Sequence, residues 1–324
     1  MQAIVVREFG GPEVLRLEDV PLPVPGAGEV RVTLEAIGVN PVDAYVRTGT
    51  YARRPALPYV PGSDGAGMID AVGPDVAGLS TGERVYVATT QARRSTGTYA
   101  EQVVCDAARV HPLPPGVSAA AGAAVGVPCA TAYRALFQRA RLAPGERVLV
   151  HGASGSVGLA AVQLAAAHGA LVIGSAGSEA GRDLVGAQGA HHVVDHRAVD
   201  HLEQVLALTG GRGADVVVEM LANENLERDF VALAPFGRIV IVGSRGTLPF
   251  SPRLAMGKEA TILGMSLFNV PAPELAQIHA ALGAALSSGV LRPVIARELP
   301  LREAARAHEY VLGSGINGKI VLVP

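Results

Sequence analysis

Apolar positions change rhythm twice along the chain. In the first third they come in short β-rich runs, Ala3–Val6, Val30–Ala36, Gly67–Val72, Glu83–Val87 and Tyr99–Val104, split by turn signals such as Gly10-Gly11-Pro12 and Pro25-Gly26. Strands this short and this closely spaced predict a compact antiparallel, barrel-like domain. The middle alternates strand and helix. Arg147–His151 is an apolar strand, Val157–Ala167 a helical run, Ala170–Ser175 a strand, Glu179–Gln188 a helix, His192–Asp195 a strand and His201–Thr209 a helix. Ala214–Glu219 and Arg238–Val242 are further strands of the continuously apolar kind. Such alternation predicts a parallel, doubly wound sheet covered on both faces. Beyond about Gly264 the pattern turns helical over Pro273–Ser287 and Arg302–Leu312, and a last strand at Lys319–Val323 is expected to return to the first domain. The predicted division is 1–122, 123–264 and 265–324.

Composition narrows the class. The chain has 324 residues, of which 49 % are hydrophobic and 17 % charged, a globular balance with room for two cores. Its net charge of −2 gives no electrostatic reason to expect nucleic-acid binding. The two cysteines, Cys105 and Cys129, fit a reducing cytosol better than a disulfide scaffold. Arg7 and Glu8 interrupt the start where an export signal would be apolar, and the long uncharged stretches 116–133 and 151–178 are too rich in Ala, Gly and Pro for a bilayer helix. A cytoplasmic protein is expected.

The chemistry is concentrated in the turn Gly152-Ala153-Ser154-Gly155-Ser156-Val157-Gly158, which follows a strand and opens a helix. Backbone N–H groups and the positive helix end can there face a pyrophosphate, with Gly155 allowing close approach and Gly158 close packing of helix on strand. The pattern is A-x-G-x-x-G, with Ala153 in place of the usual first glycine. An NAD site commonly carries an acid about 20 residues further on, at the end of the second strand. Here Ser175-Ala176-Gly177-Ser178 stands at that point. Small residues leave space for a 2′-phosphate, with Arg182 and His196 as sources of positive charge, so NADPH is favoured over NADH. Helix capping is the plain alternative for Ser178.

Several strings then resemble the medium-chain dehydrogenase/reductase superfamily, and within it the zinc-free, zeta-crystallin-like quinone oxidoreductases. They are GVNPVDAYVRTGTY (38–51), LPYVPGSDGAG (57–67), GVPCATAYRAL (126–136), VLVHGASGSVGLAA (148–161), EMLANENL (219–226), IVIVGSRGT (239–247) and HEYVLGSGINGKIVL (308–322). The resemblance implies a Rossmann domain beside a GroES-like, partly open barrel that carries catalysis. It places Ser154, Gly155, Ser156, Val157 and Gly158 around the pyrophosphate, Gly177, Ser178 and His196 by the adenosine 2′-phosphate, and Thr131 and Asn225 near the cofactor. Val242, Gly243, Ser244, Arg245, Met265, Ser266 and Leu267 would border the nicotinamide half. Tyr45 would close the cofactor cleft, and Tyr51 and Asn40 would offer hydroxyl and amide to the acceptor oxygen.

Zinc-bearing members carry a Cys and a His-Glu pair where this chain has Asn40, Ser63 and Asp64. Asn and Ser are poor zinc ligands, and two cysteines cannot build a four-cysteine structural site. The expected reaction is therefore metal-free transfer of reducing equivalents from NADPH to a quinone or conjugated carbonyl. Reduction of the C=C bond of an enal, enone or enoyl thioester is the nearest alternative. An NADPH-binding structural or RNA-associated protein is the reading from another class. The apolar run Thr261–Phe268 can extend a sheet across a partner, which predicts a homodimer or homotetramer.

Overall fold

The computed structural model describes residues 1–324 as two compact units. The first gathers Met1–Pro128, His279–Gly289 and Pro293–Pro324; the second gathers Cys129–Ile278 and Val290–Arg292.

In the first unit a mixed sheet of seven strands runs in the order Ile295–Pro300, Lys319–Val323, Glu29–Val39, Asp64–Val72, Arg84–Ala88 and Val110–Pro112, and Gln102–Asp106 pairs with the same Glu29–Val39 strand. All pairs are antiparallel except Ile295–Pro300 with Lys319–Val323. Gln2–Val5 and Arg16–Asp19 form a separate hairpin. The central strand EVRVTLEAIGV alternates only in its first half; from Ala36 onward every residue is buried. Its shared pairing with Asp64–Val72 and Gln102–Asp106 closes a core around Val30, Val32, Ile37, Ile69, Val85, Tyr99 and Leu322. This is the β-rich architecture that the short strands predict and the GroES-like domain that the resemblance implies, with one parallel pair, Ile295–Pro300 on Lys319–Val323, that the strand pattern does not foresee.

The second unit holds six parallel strands in the order His192–Val194, Leu171–Ser175, Arg147–Val150, Ala214–Glu219, Leu233–Ile241, Thr261–Gly264. Helices cover both faces, so the strand centres read as apolar runs, and ADVVVE is buried at every residue, its two acids included. Strand order reverses between Arg147–Val150 and Ala214–Glu219. That switch point opens a crevice at the carboxyl ends of the strands, the usual ligand position of a doubly wound sheet. No helix is long and apolar enough to cross a membrane.

Candidate functional site

The glycine turn rises from the strand Arg147–Val150 at the switch point. Gly152 takes φ +55°, which favours glycine. A Cβ on Gly158 would lie 2.5 Å from the Gly152 carbonyl oxygen and 2.6 Å from Ala153 Cα, so the helix can seat against the turn only without a side chain. Gly155 differs. A Cβ there would meet nothing closer than Gly152 O at 3.4 Å. The protein itself has space for a side chain at 155; the space that glycine keeps clear lies ahead of the helix. That helix, Ser156–Ala167, starts with no side-chain cap and no acid in its first turn. Its first N–H groups lack carbonyl partners within the helix and present a partial positive charge. Ser154, Gly155, Ser156 and Val157 are all partly exposed there. A diphosphate satisfies each of these features at once, so the residues fit a dinucleotide.

Of the residues expected on the adenosine side, His196 lies close to Gly177. A Cβ on Gly177 would come within 2.6 Å of His196 Nε2 and 2.9 Å of Arg197 Nε. Arg197 is a cation that the sequence reading overlooked, because its strand ends two residues before it. Arg182 is drawn elsewhere, donating to Asp195 at 2.8 Å. Ser178 caps the next helix, its Oγ accepting from Gly181 N–H at 3.1 Å.

At the other side of the crevice, Asn225 donates to Glu219 Oε1 at 3.2 Å. Asn223 accepts from Arg245 N–H at 2.7 Å and fixes the exposed loop of Ser244 and Arg245. Gly243 packs against the Met220 carbonyl, where a Cβ would lie 2.5 Å from the oxygen. Val242 N–H donates to Glu219 O and Met265 N–H to Ile241 O, so these segments continue the strand ends. Ser266 caps a short turn through Phe268 N–H, and Leu267 and Thr131 are buried.

Beneath the turn, three side chains far apart in the sequence come together. His151, Glu219 and Asp229 are buried together, with His151 Nε2 2.9 Å from Asp229 Oδ1 and 3.6 Å from Glu219 Oε2. Burial works against the charged imidazole, but the Asp229 hydrogen bond and the charges of Asp229 and Glu219 outweigh it and raise His151 above the ordinary histidine value. Burial also pushes Glu219 up, with His151 opposing. The only sequence signal is Glu219 itself, an acid at the end of a parallel strand buried along its whole length.

In the first unit, Tyr45 and Tyr51 are both half-buried and joined by a hydrogen bond from Tyr51 N–H to Tyr45 O at 3.3 Å. Burial raises the Tyr51 phenol against the pull of Arg53, so the hydroxyl keeps its proton at neutral pH. Asn40 is 2 % exposed and its amide is engaged internally: Nδ2 donates to Asp64 Oδ2 at 2.9 Å, and Oδ1 accepts from Lys319 Nζ. Asp64 also accepts from Val127 N–H at 2.9 Å. Asp43 accepts from Asn40 N–H at 2.8 Å and from the Tyr99 hydroxyl at 3.3 Å, and burial pushes its carboxyl up to about 7. An open groove of about 550 Å³ within this unit is lined by Val5, Val20, Pro58, Tyr59, Ser63 and Thr89.

A catalytic zinc does not fit here. The positions that would hold it are Asn40, Ser63 and Asp64, and the Lys319 ammonium already lies against Asn40 and Asp64. A dication would have to share that space with a fixed positive charge and lacks a thiolate or imidazole to bind it.

Residues 26–115 match an alcohol dehydrogenase GroES-like domain, and residues 156–282 match a zinc-binding dehydrogenase domain. The chain is 46 % identical to human quinone oxidoreductase over 325 residues, covering 100 % of this chain and 98 % of the relative. Among solved structures, an NAD-dependent alcohol dehydrogenase superposes with a TM-score of 0.91 at 35 % identity, each chain fully covered. Escherichia coli quinone oxidoreductase, solved with NADPH, superposes with a TM-score of 0.88 at 30 % identity, again over both whole chains.

Proposed function

Because the chain belongs to the quinone oxidoreductase family of the medium-chain dehydrogenase/reductase superfamily, we propose that it passes reducing equivalents from NADPH to a quinone without a metal. The observation that carries this reading is the uncapped start of the helix Ser156–Ala167, fronted by a glycine at 155 that nothing in the protein requires. Amide hydrogens of Ser154, Ser156 and Val157 would hold the pyrophosphate, with Gly155, whose own N–H donates to Gly152 O at 3.0 Å, leaving room for its close approach. Gly177, His196 and Arg197 would take the 2′-phosphate, with no acid on that loop before Glu179 to repel it. Asn225 and the loop Val242 to Arg245 would border the rest of the cofactor, together with Thr131 and Met265 to Leu267.

Bound NADPH supplies the hydride, and the cofactor carries the difficult chemistry. The chain's own residues hold the reactants in line and exclude water. A quinone accepts electrons readily, so one hydrogen-bond donor suffices at its developing oxyanion. Tyr51 has that role, with its phenol protonated and its backbone tied to Tyr45. Asn40 supports from below: with its amide committed to Asp64 and Lys319, it fixes the start of the helix Pro41–Arg47 that carries Tyr45.

Titration of nicotinamide fluorescence with NADPH and NADH, followed by turnover on a quinone panel beside enones, tests the reading. Tighter NADPH binding and quinone turnover exceeding enone turnover are expected. Preference for NADH, or faster enone reduction, overturns the respective part.

The strand Thr261–Gly264 ends the parallel sheet with its outer edge unpaired by any strand of this chain. Exposed Phe236 and Met256 are further apolar surface of the same unit. A homodimer or homotetramer that extends the sheet through this edge is the expected assembly. Light scattering at micromolar concentration distinguishes it from a monomer.

A further inference from the structure

We propose that His151 is a positioning residue for the cofactor, a single buried side chain that fixes the three segments expected to grip NADPH. Resting on the NADPH reading above, the inference adds a residue that touches neither cofactor nor acceptor. The geometry converges on one imidazole. His151 directly precedes the glycine turn at 152–158 and donates its own backbone N–H to Val218 O at 3.1 Å. Its Nδ1 lies 3.4 Å from Ser175 Oγ, and Ser175 O accepts from Ala153 N–H at 2.8 Å. Ser175 ends the strand that feeds the loop of Gly177 and Ser178. Its Nε2 lies against Asp229 Oδ1 at 2.9 Å and Glu219 Oε2 at 3.6 Å. Glu219 in turn accepts, on Oε1, from Leu221 N–H and from Asn225 Nδ2. One ring therefore ties the pyrophosphate turn, the adenosine loop and the Asn225 segment together.

The same ring separates two buried carboxyl groups. Glu219 Oε2 and Asp229 Oδ2 have no hydrogen-bond donor of their own and are out of reach of water. Two carboxyl groups in that setting repel each other unless a cation or a proton stands between them. The His151 ring stands at that point, with Nε2 facing both carboxyl groups and Nδ1 facing Ser175 Oγ. Without it, Glu219 has reason to turn away, and Asn225 loses its anchor.

The test compares wild-type protein with His151→Gln, Glu219→Gln and Glu219→Ala. It reads dissociation constants for NADPH and for its 2′-phospho-ADP-ribose half, KM for the quinone, and kcat at saturating NADPH. His151→Gln is expected to weaken both nucleotides about 10- to 100-fold, while quinone KM and kcat stay within about threefold. Glu219→Gln keeps an oxygen for Leu221 and Asn225 and is expected to retain more affinity than Glu219→Ala. Unchanged affinity in His151→Gln overturns the inference, as does a fall in kcat matching the loss of affinity. Metal analysis is run alongside, because three such ligands can also hold a divalent ion. One equivalent in wild type that disappears in His151→Gln would make the imidazole a ligand, and the inference fails. If wild type binds no dinucleotide at millimolar concentration, the cofactor reading falls and takes this inference with it. Wild-type binding with an indifferent variant overturns this inference alone.

Discussion

Lys319 Nζ lies 3.5 Å from Asp64 Oδ2, with the two side chains 1 % and 0 % exposed, in a chain that contains only two lysines. The pair joins the last strand of the first unit to the start of a strand 255 residues earlier. Breaking a buried pair from one side leaves a charge with no partner and commonly costs about 3–5 kcal/mol. Lys319→Met is expected to destabilise by that order in urea unfolding. Adding Asp64→Asn to it should recover part of the loss, because the orphaned carboxylate is gone.

Acid should weaken the protein through two buried histidines. His279 Nδ1 is 3.1 Å from the Tyr86 hydroxyl, and His308 Nε2 is 3.0 Å from the Tyr99 hydroxyl. Burial pushes both down to about 3, with His111 also lowering His279 and Arg47 lowering His308. An unfolded histidine titrates near 6.5, so below that pH the unfolded chain takes up protons that the folded chain refuses. Their contribution is complete above about pH 6.5 and is lost as pH falls towards 3, by up to about 1.4 kcal/mol per pH unit per group. Replacing His279 by Gln should reduce the slope of stability against pH between 4 and 6 by about one proton. An unchanged slope in urea melts across that range counts against the assignment.

Gly158→Ala tests the glycine turn itself. The added methyl meets the Gly152 carbonyl oxygen at 2.5 Å, so helix and strand must separate. Overpacking of this kind costs about 1–3 kcal/mol, and NADPH affinity should drop by about tenfold or more in a fluorescence titration. Gly155→Ala should leave stability nearly unchanged and weaken NADPH alone, because the protein has space for that methyl.

Tyr51→Phe should lower kcat with a quinone by about 10- to 100-fold, at or below the loss usual for an oxyanion donor because the acceptor is reactive. Thermal unfolding should hardly move, since the ring remains. Equal losses of melting temperature and turnover would assign the hydroxyl to packing.

Chelation provides a simple control on the zinc argument. Dialysis against EDTA should leave quinone turnover within about twofold, because the ammonium of Lys319 occupies the space beside Asn40 and Asp64. A large loss restored by added zinc would contradict it.

The parallel sheet was legible because strands covered on both faces must be apolar throughout, and VLV, VVV and IVI say so directly. The glycine turn was legible because its constraints are local. Three strands escaped notice, Arg16–Asp19, Val110–Pro112 and Ile295–Pro300, since RLED and IARELP carry charges in solvent and VHP is too short to form a run. The site's supporting groups escaped for a different reason. Asn40 reads as an acceptor-binding amide until Lys319 arrives from 279 residues away, and nothing in the sequence joins Asp43 to the Tyr99 hydroxyl or that hydroxyl to His308. Charge pairing over such separations leaves no period or spacing in the sequence.

The pairing of Lys319–Val323 with Glu29–Val39 also sets the order in which a ribosome can deliver the molecule. Residues 129–278 emerge as one continuous piece and can assemble their parallel sheet while synthesis continues. The amino-terminal residues, though translated first, must wait for the final strand before their sheet is complete. Until then the open flank of Glu29–Val39 and the unneutralised Asp64 stand exposed, which makes the nascent amino-terminal part the segment most in need of chaperone protection.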